Sequence, residues 1–220
     1  MFNKKKSGYT SIYRQRVYHP LVEITLHGRC INGRIVIIAV NLGKKELRKE
    51  KKYFVPAHPD FVKYGRMIRG FLDGSVKDLS PMPVDMSQCS GFSKKVLRIA
   101  RSIPWGKTVS YARLALMAGH PNAVRAVASV LRNNPLPLII PCHRVIKSDG
   151  SIGGFMGKTK GREVQLKGEL LKREFAGKQQ FVRRLEFRSQ REIVDGRGGK
   201  RIAAVMKNLA HIERPSAVVS

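Results

Sequence analysis

The sequence predicts an α+β protein: a small sheet-plus-helix domain, then a mostly helical domain that contains a helix-turn-helix. Three observations predict it. Residues 21–40, LVEITLHGRCINGRIVIIAV, are two β-rich runs joined at Asn32-Gly33, a dipeptide that takes positive φ readily and marks a hairpin. Residues 60–72 place Phe61, Tyr64, Ile68 and Phe71 on one helical face. Beyond residue 90 the apolar residues recur every three or four positions, in short runs bounded by cap and stop residues.

The elements follow in order. Asp60 is expected to cap the 60–72 helix. Residues 73–90 hold two prolines and many small residues and read as a linker, so the first domain is placed at 1–87 and the second at 88–175. In the second, Phe92, Val96 and Ala100 share a face of 92–102. Ser110 caps a short helix over 110–118 that Gly119 stops. Asn122 is expected to cap a helix over 123–132, which Pro135 ends. Two short helices around a tight glycine-containing turn are the pattern of a helix-turn-helix. A further helix over 160–175 turns Val164, Leu170, Leu171 and Phe175 inward. Residues 176–220 read as a basic extension of unknown role, with a Gly-rich connector at 195–200 and a helix-like run at 201–212.

Charge points to the partner. Lys and Arg number 43 against 15 Asp and Glu, a net +28. The excess is global: 17 basic and 7 acidic residues in 1–87, 16 and 4 in 88–175, 10 and 4 in 176–220. A surface of that kind attracts a polyanion, with affinity that falls as salt rises. Three cysteines are too few for a disulfide framework and none are spaced C-x-x-C, so neither disulfides nor a structural zinc site is expected. No run approaches a membrane span, and the basic start MFNKKKSGYT lacks the apolar core of a signal peptide. No membrane partner is expected. The expected compartment is reducing: cytoplasmic, or nuclear in a eukaryote.

The chemistry sits in LPLIIPCHRVIKSDGSIGG, residues 136–154, where Cys142 directly precedes His143. On its own the pair is a nucleophile with its base, half a metal site, or two inert neighbours. Its surroundings are more specific. The ordered set IPWGKTVSYARLALMAGHPNAVRAV (103–127), NPLPLIIPCHRVI (134–146) and DGSIGGFMG (149–157) resembles the O6-alkylguanine-DNA alkyltransferase family over residues 88–175. The resemblance implies irreversible transfer of an alkyl group from O6-alkylguanine in double-stranded DNA, with O4-alkylthymine as a further lesion, to Cys142. One protein then removes one group, as a monomer, without cofactor or metal. It implies His143 as the base acting through a water, Glu174 (with Glu169 as the alternative) orienting it, and Tyr111 as donor to the leaving oxygen. It assigns Arg125 to the place of the flipped base, Asn134 to the tie between recognition helix and cysteine loop, and the Cys142 and Val145 carbonyls to the guanine amino group. By the same resemblance the backbone N–H groups of Met156 and Gly157 are expected to face the six-oxygen, Ala123, Ala126 and Ala128 to give the helix a small-residue face for the minor groove, and Ser93 and Ser148 to contact DNA. Phe155-Met156 stands where many relatives have Tyr-Ser, and the zinc ligands of some relatives have no counterpart here.

Two rival readings fit parts of the same sequence. A cysteine hydrolase would need a nucleophile elbow, which is missing. A DNA-binding regulator switched by Cys142 methylation is compatible with the basic extension.

Overall fold

The computed structural model describes residues 12–43 and 58–176. The basic start, the expected connector at 195–200 and the expected helix at 201–212 lie outside the described residues. Strands β1 (Ile12–Val17), β2 (Ile24–Ile31) and β3 (Arg34–Leu42) form an antiparallel sheet in the order β1-β2-β3. The β2–β3 turn is the expected one, with Asn32 at φ 51 and Gly33 at φ 75. Ile24 and Leu26 of β2, and Ile35 and Ile37 of β3, are all completely buried. His27 pairs with Ala39 and Gly28 with Ile37, so Ile38 is an extra residue in β3. This bulge shifts the inward side by one position, and Val40 and Leu42 are buried beyond it. Strand β1 was not foreseen, because IYRQRV is too polar to read as a strand; it forms because β2 supplies its ladder.

Helix α1 (Pro59–Asp73) packs on this sheet and buries Phe61, Tyr64, Ile68 and Phe71 on one face, as the spacing predicts. Asp60 is not its cap. Pro59 starts the helix a residue earlier, and the His58 imidazole accepts from the Asp60 N–H at 3.2 Å. The Asp60 carboxylate instead accepts from the Ile35 N–H of β3 at 2.9 Å and ties helix to sheet.

The expected linker is a packed segment. Leu79 and Met82 are buried, Ile37 N–H donates to Pro83 and Asp85 N–H to Ile37, so this stretch covers the edge of β3. Arg29 pairs with Asp85, and the Arg101 guanidinium donates to the Ser80 and Met82 carbonyls. Its irregular backbone is satisfied by these partners in place of a regular ladder.

The helical part contains α2 (Gly91–Arg101), α3 (Tyr111–Met117), α4 (Val124–Arg132) and α5 (Arg162–Glu174). Ser110 caps α3 by accepting from Arg113 N–H at 3.1 Å, and Gly119 at φ 75 lets the chain leave it. Asn122 does not cap α4. The turn closes through its own backbone, with Ala123 N–H donating to His120 at 2.9 Å, and Ala123 takes the cap position. In α5, Leu170, Leu171 and Phe175 are buried as expected; Val164 is only half-buried, and Leu166 takes a core position. Two-residue strands β4 (Val109–Ser110) and β5 (Val145–Ile146) pair in parallel between the helices. One continuous apolar core runs from Val17 of β1 to Leu170 of α5. Among the described residues no helix is long and apolar enough to cross a membrane.

Candidate active site

The chain leaving α4 is pinned by Asn134. Its amide donates to the Ile140 carbonyl at 3.0 Å and to Cys142 Sγ at 3.3 Å, while its Oδ1 accepts from Leu136 N–H at 3.0 Å. Leu136, Leu138, Ile139 and Ile140 between them are buried, so the loop has no freedom to drift. A single 3-10 turn, Cys142–Arg144, follows, closed by Arg144 N–H donating to Pro141 at 2.9 Å. The turn divides its side chains. Cys142 lines a cavity, and His143 and Arg144 face a carboxylate behind it.

That carboxylate is Glu174, at the last turn of α5. It accepts from His143 Nε2 at 2.7 Å, from Arg144 Nε at 3.0 and 2.9 Å, and from Gly106 N–H at 3.1 Å. Glu169 pairs with Lys172 instead, at the protein surface. Gly106 has φ 68, and a Cβ there would lie 3.1 Å from the Glu174 carbonyl oxygen, so the close approach requires glycine. Burial works to raise the Glu174 pKa, but the hydrogen bond from His143 and the hydrogen bonds and charge of Arg144 outweigh it and hold the carboxyl below its ordinary range. Removing one partner of so buried a pair typically costs about 3–5 kcal/mol.

An ionised carboxylate only accepts, so Nε2 of His143 carries the proton. Nδ1 then has the lone pair, and among the described residues it has no protein partner. Burial lowers the His143 pKa against the opposing pull of Glu174, which keeps the ring neutral. Burial also pushes the Cys142 thiol up, and the Asn134 amide, the Lys167 ammonium and two backbone N–H groups only reduce that effect. The resting group is a thiol beside a neutral base.

The cavity holds about 450 Å³, inside the roughly 300–1,000 Å³ usual for ligand sites. Among the residues expected from the sequence, Tyr111, Arg125, Cys142, Ser148, Met156 and Gly157 line it, as does Ala128. The Tyr111 hydroxyl donates to the Gly154 carbonyl at 3.5 Å, and burial, then the nearby Cys142, raises its pKa to about 12, so it stays a donor. Met156 at φ 48 and Gly157 at φ 80 turn the backbone at the wall. Ala123 and Ala126 sit on α4 outside the lining, and so does Ser93, whose N–H donates to the cap Ser90 at 3.2 Å.

Three contributors were missed in the sequence: Arg144, Gly106 and Lys167. Lys167 is fully buried and donates to the Val145 carbonyl at 2.5 Å and the Gly154 carbonyl at 3.2 Å, tying the strand after the cysteine turn to the Gly154 wall of the cavity. Its Nζ lies 5.7 Å from the Tyr111 ring centroid, and burial lowers its pKa to about 8. The signal was present: Val164, Lys167, Leu171 and Glu174 recur at three- and four-residue steps, which puts two charges on the inward face of a helix.

Residues 91–176 match the family described as "6-O-methylguanine DNA methyltransferase, DNA binding domain". A methylated-DNA–protein-cysteine methyltransferase of Methanothermobacter thermautotrophicus is 37% identical over 154 residues, covering 68% of this chain and 82% of that protein. The chain belongs to the methylated-DNA–protein-cysteine methyltransferase family. A Mus musculus methylated-DNA–protein-cysteine methyltransferase is 48% identical over 71 residues, which is 32% of this chain and 34% of its own length. The structure of Mycobacterium tuberculosis OGT in complex with DNA superposes with a TM-score of 0.60 at 25% identity, covering 73% of this chain and 91% of that one. The α+β fold is therefore the one expected.

Proposed function

We propose that this protein repairs DNA by direct reversal, moving the alkyl group from the six-oxygen of an alkylated guanine to Cys142 in one irreversible step. A single observation carries the reading: a thiol at the floor of a base-sized cavity, with the buried His143–Glu174 pair directly behind it. Glu174 fixes the His143 tautomer, and Nδ1 takes the thiol proton through a water. The thiolate attacks the sp3 carbon, the carbon–oxygen bond breaks, and its electrons pass to the guanine oxygen. Tyr111 donates to that oxygen as it leaves, and the guanine regains one proton for the one the thiol gave up. The product is a thioether, which no group in the site can cleave.

The target base lies inside the duplex stack and must be flipped to reach Cys142. In this reading α3 and α4 act as a helix-turn-helix within an alkyltransferase domain at 88–175, following an N-terminal domain at 1–87. Arg125 fills the vacated place, Ala123, Ala126 and Ala128 let α4 approach the minor groove, and Ser93 and Ser148 contact the backbone. The Cys142 and Val145 carbonyls receive the guanine amino group, and the N–H groups at 156 and 157 receive the oxygen. Val145 O also accepts from Lys167, and a carbonyl has a second lone pair for the base. O4-alkylthymine offers the same electrophilic carbon and is the secondary substrate.

The experiment is a titration with excess O6-methylguanine duplex. Lesions repaired should equal protein molecules present, with no repair after that point; continued turnover would refute the suicide step.

A further inference from the structure

The back of the relay is closed by the N-terminal part of the chain. Phe71, in the last turn of α1, is buried, with its ring edge-on to His143 at 6.1 Å between centroids and to Trp105 at 5.1 Å. The Arg144 guanidinium lies 5.8 Å from the Phe71 ring and 5.9 Å from the Trp105 ring, so two aromatic faces seat the charge that holds Glu174. The end of α1 is itself fixed. Gly74 at φ 84 donates back to Phe71 at 3.2 Å, and the Arg173 guanidinium of α5 donates to the Leu72 carbonyl.

We propose that Phe71 is a positioning residue for alkyl transfer: its ring seats Arg144 on Glu174 and keeps water away from the rear of His143. The proposal rests on the reading of Cys142 as alkyl acceptor. It gives the N-terminal part a role in the chemistry although Phe71 is not among the residues lining the cavity.

Charged and titratable groups act on the relay from several elements. Glu174 and Lys167 come from α5, Arg144 and Cys142 from its own turn, and Tyr111 of α3 faces Cys142. Asp78, in the segment after α1, feels the Arg144 charge. The contribution of α1 is the apolar ring. Removing it lets water reach the imidazole and loosens Arg144, whose charge opposes protonation of His143. Both changes favour the charged ring, so His143 should protonate at higher pH.

The test compares wild type, Phe71→Ala and Phe71→Leu in single-turnover reaction with free O6-benzylguanine across pH, alongside undamaged-duplex binding. The wild-type rate should fall on the acid side as His143 protonates. That midpoint should move up by roughly half a pH unit or more in Phe71→Ala, and less far in Phe71→Leu, with duplex affinity within about twofold of wild type. Phe71→Leu fills most of the space, so it decides the matter if the alanine variant does not fold. Folded variants with the wild-type midpoint would overturn the proposal, whatever their melting temperature. Failure of the wild type to transfer at all would instead overturn the reading of Cys142.

Discussion

A buried thiol is a poor nucleophile, and Cys142 is pushed further from ionisation by its surroundings. Its reactivity must therefore come from a base that is neutral when the substrate arrives. His143 meets that condition because it is buried, and Glu174 keeps the proton on the far nitrogen. The same two shifts set an acid limit on folding. An imidazole with a lowered folded pKa makes the folded state lose stability as pH falls below its ordinary value of about 6.5, since only the unfolded chain takes the proton there. The depressed Glu174 adds a loss at lower pH, as pH drops from the ordinary carboxylate range through its folded value. The melting temperature should be level near pH 7 and begin to fall below about pH 6.5, as scanning calorimetry in a buffer series can show; a level curve down to about pH 5 would contradict the burial of a neutral His143. At this scale the sequence was legible where motif and chemistry coincide, at Cys142, His143, Tyr111 and Asn134. It was not legible at Arg144 and Gly106, because nothing local says that both converge on a carboxylate thirty and sixty-eight residues away.

At the scale of elements, binding and chemistry separate in the proposed reading. Arg125 of α4 lines the cavity, whereas the bonds that orient the relay come from α5 and the Cys142–Arg144 turn. Arg125→Ala should slow repair of a lesion in duplex DNA by roughly tenfold or more, since flipping costs a few kcal/mol, and should change the reaction with free O6-benzylguanine far less. Parallel single-turnover rates on the two substrates check this, and equal losses on both would refute it. Lys167→Met should remove the brace between the Val145 and Gly154 carbonyls and slow the free-base reaction as well, a loss that Arg125→Ala should not show. Element positions were well marked by periodicity, as at α1, α2 and the Asn32-Gly33 hairpin. Caps were marked less evenly: Ser110 caps α3 as expected, but His58 and the backbone turn at His120 took over from Asp60 and Asn122, because a cap is decided by which group is nearest once the chain has turned. The segment at 73–90 looked like a linker for a related reason, since its order comes from the edge of β3 and from Arg101, not from its own composition.

Across the whole molecule, the charge of +28 is spread over every part of the chain. If several phosphates are neutralised, binding to undamaged duplex should weaken by roughly tenfold or more between about 50 and 200 mM salt. Fluorescence anisotropy over that range would show it, and a flat response would mean that the basic surface faces another partner. The larger apolar core joins the sheet, α1 and helices of the site, which is how a ring from α1 comes to sit behind His143. The central claim concerns one atom in this assembly, the sulfur of Cys142. The most direct measurement is an intact mass, followed by peptide mapping, after incubation with O6-methylguanine duplex. One methyl increment per chain, on Cys142 and on neither Cys30 nor Cys89, is the expected result. Methyl on another residue, or transfer that persists in Cys142→Ala, would contradict it.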